Sequence, residues 1–297
     1  MSIIIQVDTI SKINQLKAVE TTHPLISVYD SSISSPLPKG NYHFGLYGIF
    51  LKELHCGVIK YGRKNYDYQE GTMVYIAPGQ VIGVEEQENY VLKGWTMFFH
   101  PDLIKGTPLG REMHKYNFFS YDSDEALHVS EKERAIMIDQ FKKIKFELDQ
   151  SIDRHSKKIL ASSIELLLNY SQRFYDRQFI TRDNENAHAM EKFDRLLRAY
   201  FQSQKPMEEG IPTVAAIAKQ LHLSANYLGD LIKKETGIAP LEHIQNRLID
   251  LSKDKILDLN KSIAQVSAEL GFKYPQHFTR LFKQKVGIAP NEYRNLN

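Results

Sequence analysis

Between residues 25 and 100 the apolar positions fall in short runs rather than along a helical stripe. Residues 25–29, 44–51, 56–61, 72–77, 81–84 and 96–99 are rich in Val, Ile, Tyr and Phe. Turn chemistry separates them, as in Pro36-Leu37-Pro38-Lys39-Gly40, Glu70-Gly71 and Pro78-Gly79-Gln80. Runs of this composition punctuated in this way predict strands, and many at close spacing predict a small barrel or sandwich. From about residue 130 the period changes. Ile136, Gln140, Phe141, Ile144 and Leu148 trace one helical stripe, and Ile159, Ile164, Leu167, Leu168 and Phe174 trace a second. Thr181-Arg182-Asp183-Asn184-Glu185-Asn186 offers no apolar residue to bury, so residues 181–189 are expected to link two domains. Beyond them Met190, Phe193, Leu196, Leu197, Tyr200 and Phe201 predict an amphipathic helix.

The helical region contains an internal repeat. Residues 217–240 lie over residues 266–290, with an offset of 49 before the central turn and 50 after it, so one residue is inserted at the turn. Leu221 matches Leu270, Leu223 matches Phe272, Leu228 matches Phe278, Leu231 matches Leu281, and both copies end in Gly-Ile-Ala-Pro. Each copy reads as helix, tight turn, helix. Thr213 is placed to cap a helix running through Leu221, and Ser224 a second that ends at Gly237. Ser262 is placed to cap a helix through Leu270, Gly271 makes the turn, and the next helix ends at Gly287. This is the helix-turn-helix layout, whose second helix is free to enter a major groove. Two helical hairpins packed for their own sake would give the same local pattern, but would not need duplicated end motifs. Pro240, Ile244, Leu248, Leu251 and Ile256 predict a connecting helix to about Leu259. Some 20 residues at about 1.5 Å each make a rod of roughly 30 Å. One turn of B-DNA is about 34 Å, so the rod suits two reading helices in successive major grooves.

Composition narrows the class. A chain of 297 residues is long enough for two domains, and 25% charged with 11% aromatic residues excludes wholesale disorder. No run of about 18 apolar residues is present, so no membrane partner is expected. The first residues, MSIIIQVDTI, lack the basic and long apolar regions of a secretion signal, and the lone Cys56 fits a reducing compartment. A soluble cytoplasmic protein is expected. The net charge of +2 is unevenly divided: residues 211–297 carry 12 Lys+Arg against 8 Asp+Glu, leaving 26 and 28 for the rest. The modest basic excess therefore falls on the duplicated motif, where a polyanion partner would bind.

Residues 190–297 resemble the AraC/XylS family of bacterial transcription regulators. The matching residues are Ile217-Ala218, Leu223-Ser224, Tyr227-Leu228, Lys233, Gly237 and Pro240 in the first motif, with Arg247 in the connecting helix. The second motif matches through Ser262-Ile263, Val266, Gly271-Phe272, Phe278, Phe282-Lys283, Gly287, Pro290 and Tyr293-Arg294. Ser252 stands where the family usually has Ala, and Ile232 where its first motif usually has Phe. Leu228, Leu231 and Ile232, then Phe278, Leu281 and Phe282, supply the apolar faces of the two reading helices. The resemblance implies double-stranded DNA as the partner, with base-reading positions at Asn226, Gly229 and Asp230, then at Gln276, Thr279 and Arg280. Arg280 suits guanine and Gln276 suits adenine, whereas Asp230 accepts from cytosine but repels phosphate, and Gly229 reads nothing. The second motif is thus expected to supply more of the base-specific energy. Lys233, Lys234, Lys283 and Lys285 are expected to position the protein on phosphates.

The same resemblance implies a cupin-like sensor in the N-terminal half. The expected fold class is α+β: a cupin-like β-barrel (about residues 20–100), helices (about 130–180), a linker at 181–189, and an all-α domain at 190–297 with two helix-turn-helix motifs joined by a long helix. The related sensors dimerise through such helices, so a homodimer through residues 130–175 is expected, with RNA polymerase as a further partner. A barrel of this kind could instead be a cupin-type binding protein or enzyme whose helical domain serves protein interaction. A metal-dependent cupin needs clustered His and carboxylate ligands. No His-x-His pair occurs, His43 and His100 stand alone, and neither a nucleophile elbow, a P-loop nor a dinucleotide fingerprint is present. No catalytic residue, metal or cofactor is therefore expected; ligand binding without chemistry is. Tyr42, Tyr47, Tyr61, Arg63, Tyr75 and Trp95 are the kinds of residue that would hold a polar ring or a sugar. They do not by themselves locate an effector site.

Overall fold

Strands dominate the chain up to Phe99 and helices dominate it from Glu131, as the change of period predicts. A helix at Ile10–Lys17 and a short strand at Leu127–His128 break that division. The computed structural model describes residues 4–53, 71–84, 93–122, 125–181 and 183–296, with the side chains of 181–187 left out. It is a mixed α+β chain that divides into two compact units, Met1–Thr181 and Arg182–Asn297. The predicted strand at 56–61, Tyr61, Arg63 and Cys56 all lie outside the described residues.

In the N-terminal unit the described strands form two sheets. In the three-stranded sheet β1 (Ile4–Val7) runs parallel to β3 (Gly40–Phe44), which pairs antiparallel with β6 (Val81–Val84). The larger sheet is antiparallel throughout, in the order β2 (Ile26–Asp30), β7 (Gly94–Phe99), β4 (Tyr47–Lys52), β5 (Thr72–Ile76), β8 (Leu127–His128). The strand expected at 44–51 is β4 from Tyr47 on; its first residue, Phe44, instead ends β3, because the chain turns at Gly45-Leu46 and changes sheet. Helix α1 (Ile10–Lys17) and β1 supply Val7, Ile10 and Ile13 to one core, which Tyr42 and Phe44 enter from one sheet and Ile76 and Phe98 from the other. Removing that many apolar side chains from water, at about 25 cal/mol per Å² of area, is what holds the two sheets together.

Two short helices, α2 (Pro101–Ile104) and α3 (Pro108–Glu112), lead to the long pair α4 (Glu131–Leu148) and α5 (Ser156–Thr181). A capping box starts α4: the Ser130 side chain accepts from the Glu133 N–H while the Glu133 carboxylate accepts from the Ser130 N–H at 2.9 Å. Its buried face is Met137, Gln140, Phe141 and Ile144, with Ile136 and Leu148 at the margins. Trp95 of β7 stacks on Phe141 with ring centroids 6.0 Å apart. On α5, Ile164, Leu167, Leu168 and Phe174 are buried as the stripe predicts, but Ile159 is exposed. Arg177 donates to Glu133 at 2.8 Å and to the His128 carbonyl at 2.7 Å, tying α5 to α4 and β8.

The C-terminal unit is helical. It comprises α6 (Asp183–Gln202), α7 (Lys205–Glu209), α8 (Val214–Leu221), α9 (Ala225–Thr236), α10 (Pro240–Ile256), α11 (Ile263–Glu269), α12 (Pro275–Val286) and α13 (Pro290–Leu296). The polar stretch read as a linker is mostly helix: the backbone is helical from Asp183, so the turn-prone composition at 181–189 lost to the amphipathic helix that follows it. α10 ends at Ile256, three residues short of the expected end, where Arg294 donates to the Ile256 carbonyl at 2.6 Å and to the Lys261 carbonyl at 2.8 Å. It packs against α9, α11, α12 and α13.

Candidate nucleic-acid interface

Each half of the repeat is a pair of helices set by its caps. Thr213 Oγ1 accepts from the Ala216 N–H at 3.1 Å and starts α8, and His222, in a left-handed conformation, ends it. Ser224 Oγ accepts from the Tyr227 N–H at 3.1 Å and starts α9. Gly237 ends α9 with its N–H on the Lys233 carbonyl, and Gly287 ends α12 with its N–H on the Lys283 carbonyl. Ser262 opens α11 with a capping box to Gln265. Leaving these end groups unsatisfied would cost about 1 kcal/mol per cap, so the sequence signals here are also stabilising contacts.

The apolar faces anchor the second helix of each pair. Leu228, Leu231 and Ile232 of α9 are buried, as are Phe278 and Phe282 of α12, whereas Leu281 is only half-buried. Phe278 lies between Phe272 and Phe282, at ring distances of 5.4 and 5.8 Å. On the opposite face of α9, Asn226, Lys233 and Lys234 are exposed and Asp230 is half-buried. On α12, Gln276, Arg280 and Lys283 are exposed at i, i+4 and i+7, a single outward stripe. Thr279 is half-buried beside them and its hydroxyl donates to the Pro275 carbonyl at 3.1 Å, so its donor is already used within the helix.

Arg280 makes no ion pair among the described residues. The carboxylates nearest in sequence are engaged elsewhere: Glu269 binds Lys255 at 2.5 Å and Lys261 at 2.7 Å, and Glu292 accepts from the Ala289 N–H at 2.9 Å. Lysine hydrogen bonds, that from Lys255 first, hold the Glu269 carboxyl below the usual carboxylate range. Lys285, unlike the other expected phosphate contact on α12, has an ion-pair partner within the fold. Its ammonium sits 2.8 Å from Glu242 of α10 and its side chain is only 22% exposed, so it ties α12 to α10. Sequence inspection could not reveal this, because the partner lies 43 residues away. It also missed Lys273, exposed just before α12 and 5.5 Å from the Tyr274 ring centroid. The available signal was position: a cation beside the N-terminus of a reading helix, where phosphate is favoured.

The N-terminal unit holds a cavity of about 220 Å³ between β5, β6, α5 and a 3-10 turn at Asn117–Ser120. Tyr75, Tyr121, Tyr175 and Phe118 give it aromatic walls, with Gln80 and Asp122 at polar positions. The Tyr75 hydroxyl is buried without a partner in hydrogen-bonding geometry; Ser171 beside it donates to the Leu167 carbonyl at 2.9 Å. Burial raises the Tyr75 pKa far above its ordinary value, so the phenol stays protonated. The other aromatics singled out in the sequence are placed differently. Tyr42 is core, donating to the Pro38 carbonyl at 2.6 Å; Tyr47 stacks on Phe99 at 4.9 Å; Trp95 packs on α4. His43 is on β3 and His100 caps α2. Among the described residues no group of three His, Cys, Asp or Glu is placed to hold a metal ion, and no helix is long and apolar enough to cross a membrane.

Residues 217–296 match the family described as a helix-turn-helix domain. The uncharacterized HTH-type transcriptional regulator YtdP of Bacillus subtilis (strain 168) is 33% identical over 82 residues, covering 28% of this chain and 11% of YtdP. The chain spans between 11% and 34% of the length of the first three curated relatives it matches. A transcriptional regulator with an AraC-type DNA-binding domain from Chromobacterium violaceum is 21% identical, with TM-score 0.32 over 37% of this chain and 94% of that one. ToxT of Vibrio cholerae is 16% identical, with TM-score 0.29 over 91% of this chain and 97% of that one.

Proposed function

We propose, from the AraC-type helix-turn-helix domain formed by residues 217–296 of this chain, that the protein is a sequence-specific DNA-binding transcriptional regulator controlled by a small molecule. The observation that carries this reading is the duplicated, capped helix pair whose second helices turn polar residues outward, with Arg280 free of any ion pair among the described residues. In this reading α9 and α12 enter successive major grooves. Asn226, Asp230, Gln276, Thr279 and Arg280 face base edges, and Lys233, Lys234, Lys283 and Lys273 meet phosphates. Because the Thr279 hydroxyl donates within its helix, its methyl group is what it offers to thymine. The family match favours a regulator over a cupin-type enzyme or binding protein. Selection of duplexes from a randomised pool by the full chain, followed by salt titration, tests it. A preferred sequence whose affinity falls steeply with salt is expected. Recovery of no preferred sequence, or salt-independent binding, refutes it.

We read the two-sheet unit as a cupin-like effector sensor. The aromatic cavity and its unpartnered Tyr75 hydroxyl support that reading, since a ligand oxygen or ring nitrogen would complete the hydrogen bond. Its small volume suits a ligand no larger than a single sugar or aromatic ring. A second copy and RNA polymerase complete the proposed partners. The exposed Phe146, Ile159 and Leu166 on α4 and α5 support the dimer.

A further inference from the structure

The connecting helix α10 joins the two motifs, and a second connection closes the structure. Helix α6 packs against α8 and α9 of the first motif, while α7, which follows it, packs against α11 of the second. The segment Lys205–Gly210 therefore precedes the first motif in sequence but rests on the turn of the second. Two features seat it there and a third ties it to α6. Pro206 is buried. The Tyr200 hydroxyl of α6 donates to the Gly210 carbonyl at 2.8 Å. Gly271, the turn residue of the second motif, lies so close that a Cβ on it would stand 2.8 Å from the Pro206 carbonyl oxygen and 2.8 Å from the Gly210 carbonyl carbon. That is backbone against backbone, and neither side has a flexible end that could give way.

We propose that residues 205–210 form a clasp that fixes the second motif in register with the first, and that Gly271 and Tyr200 are positioning residues for the spacing between the two DNA half-sites. The proposal rests on the DNA-binding reading above. Its physical basis is that packing along one helix restrains two bodies least about that helix's axis, whereas a second, separated connection also restrains their rotation about that axis. Successive base pairs of B-DNA are rotated by roughly 35°, so a body held at two points meets the groove at one spacing and misses it one base pair away. A body held by α10 alone would follow the groove through several spacings. The clasp thus controls which operators are accepted without touching a base.

Gly271 carries a second constraint, a φ of +90°, that any side chain would strain. Gly287 separates the two: its φ is +93°, but nothing lies within 4 Å of the Cβ it would acquire. Gly271→Ala and Gly287→Ala therefore impose similar backbone strain, and only the first opens the clasp. Tyr200→Phe removes the hydrogen bond without strain.

The test uses the full chain and the duplex it selects from a randomised pool, remade with one or two base pairs inserted or deleted between the two footprinted half-sites. Affinities are measured for each spacing, alongside thermal melts. The wild-type chain is expected to prefer its selected spacing by about tenfold or more, equivalent to 1.4 kcal/mol. Gly271→Ala is expected to reduce that preference to about threefold or less, and Tyr200→Phe to lower it about threefold, while Gly287→Ala melts lower but keeps the wild-type ratio. A wild-type ratio in Gly271→Ala, or equal relaxation in Gly287→Ala, overturns the clasp. If Gly271→Ala does not melt cooperatively, an unchanged ratio in Tyr200→Phe overturns it instead. Failure of the wild-type chain to select any sequence refutes the DNA-binding reading itself, a result distinct from binding without spacing preference.

Discussion

Replacing Arg280 by Ala separates base reading from every other role this residue could have. The side chain is exposed on α12, makes no ion pair among the described residues, and lies four residues after Gln276 on the same stripe. Its removal takes nothing from the fold, and Ala is the better helix former, so stability should stay within about 0.5 kcal/mol. For a unit of this size that is a melting shift of about 4 °C at most. Binding should respond differently. A bidentate arginine–guanine pair discriminates by about 1–3 kcal/mol, which is roughly a 5- to 150-fold loss on the preferred duplex. The loss should be concentrated at one base pair: duplexes already mutated there should bind wild-type and variant chains about equally. Competition anisotropy against a panel of single-position variants, with a melt of the same preparation, measures both quantities. Uniform weakening across the panel would make Arg280 a phosphate contact and would refute its assignment to base reading. A fall in melting temperature with base preference intact would make it structural.

Four further outcomes follow from other residues. Lys283→Ala should weaken preferred and scrambled duplexes alike and lower the salt slope by about 1. Lys285→Ala should instead cost about 0.5–1 kcal/mol of stability through the lost Glu242 pair, seen as an earlier urea midpoint. Glu269 has its folded pKa depressed by Lys255 and Lys261. Its contribution is therefore present above the ordinary glutamate pKa and lost as pH falls through the depressed folded value. A urea series from neutral to acid pH should show wild type converging on Glu269→Gln at the acid end, and a constant difference would contradict this. Light scattering on residues 1–181 should give twice the monomer mass, and Leu166→Glu should restore the monomer; a monomeric wild type at tens of micromolar would remove the dimer from residues 130–175.

Local rules made the helical unit legible. Thr213, Ser224 and Ser262 are caps because a hydroxyl before a helix meets a bare N–H wherever the rest of the chain lies, and Gly237 and Gly287 end helices for an equally local reason. The sheets were less legible. β3 was missed because Gly40, Asn41 and His43 break its apolar pattern, and only pairing with partners far along the chain makes it a strand. β1 and α1 passed unnoticed because Ile4–Val7 has no turn signal before it and Ile10–Lys17 spans barely two helical turns. Among the candidate site residues, the exposure of Asn226, Lys233, Gln276, Arg280 and Lys283 was foreseeable from helix periodicity. The pairing of Lys285 was not, because its partner comes from a different helix.

His222 and Gly271 occupy matching positions in the two copies, and both have positive φ, 58° and 90°. At the first, a full side chain is tolerated and points to water; at the second, the Pro206 carbonyl leaves room only for hydrogen. The copies are therefore not exchangeable parts. A chimera carrying the first copy's turn in both places would keep every cap and every apolar anchor, yet could not close. Of the two duplicated turns, the one packed against neighbouring backbone admits only glycine, while its twin carries a full side chain.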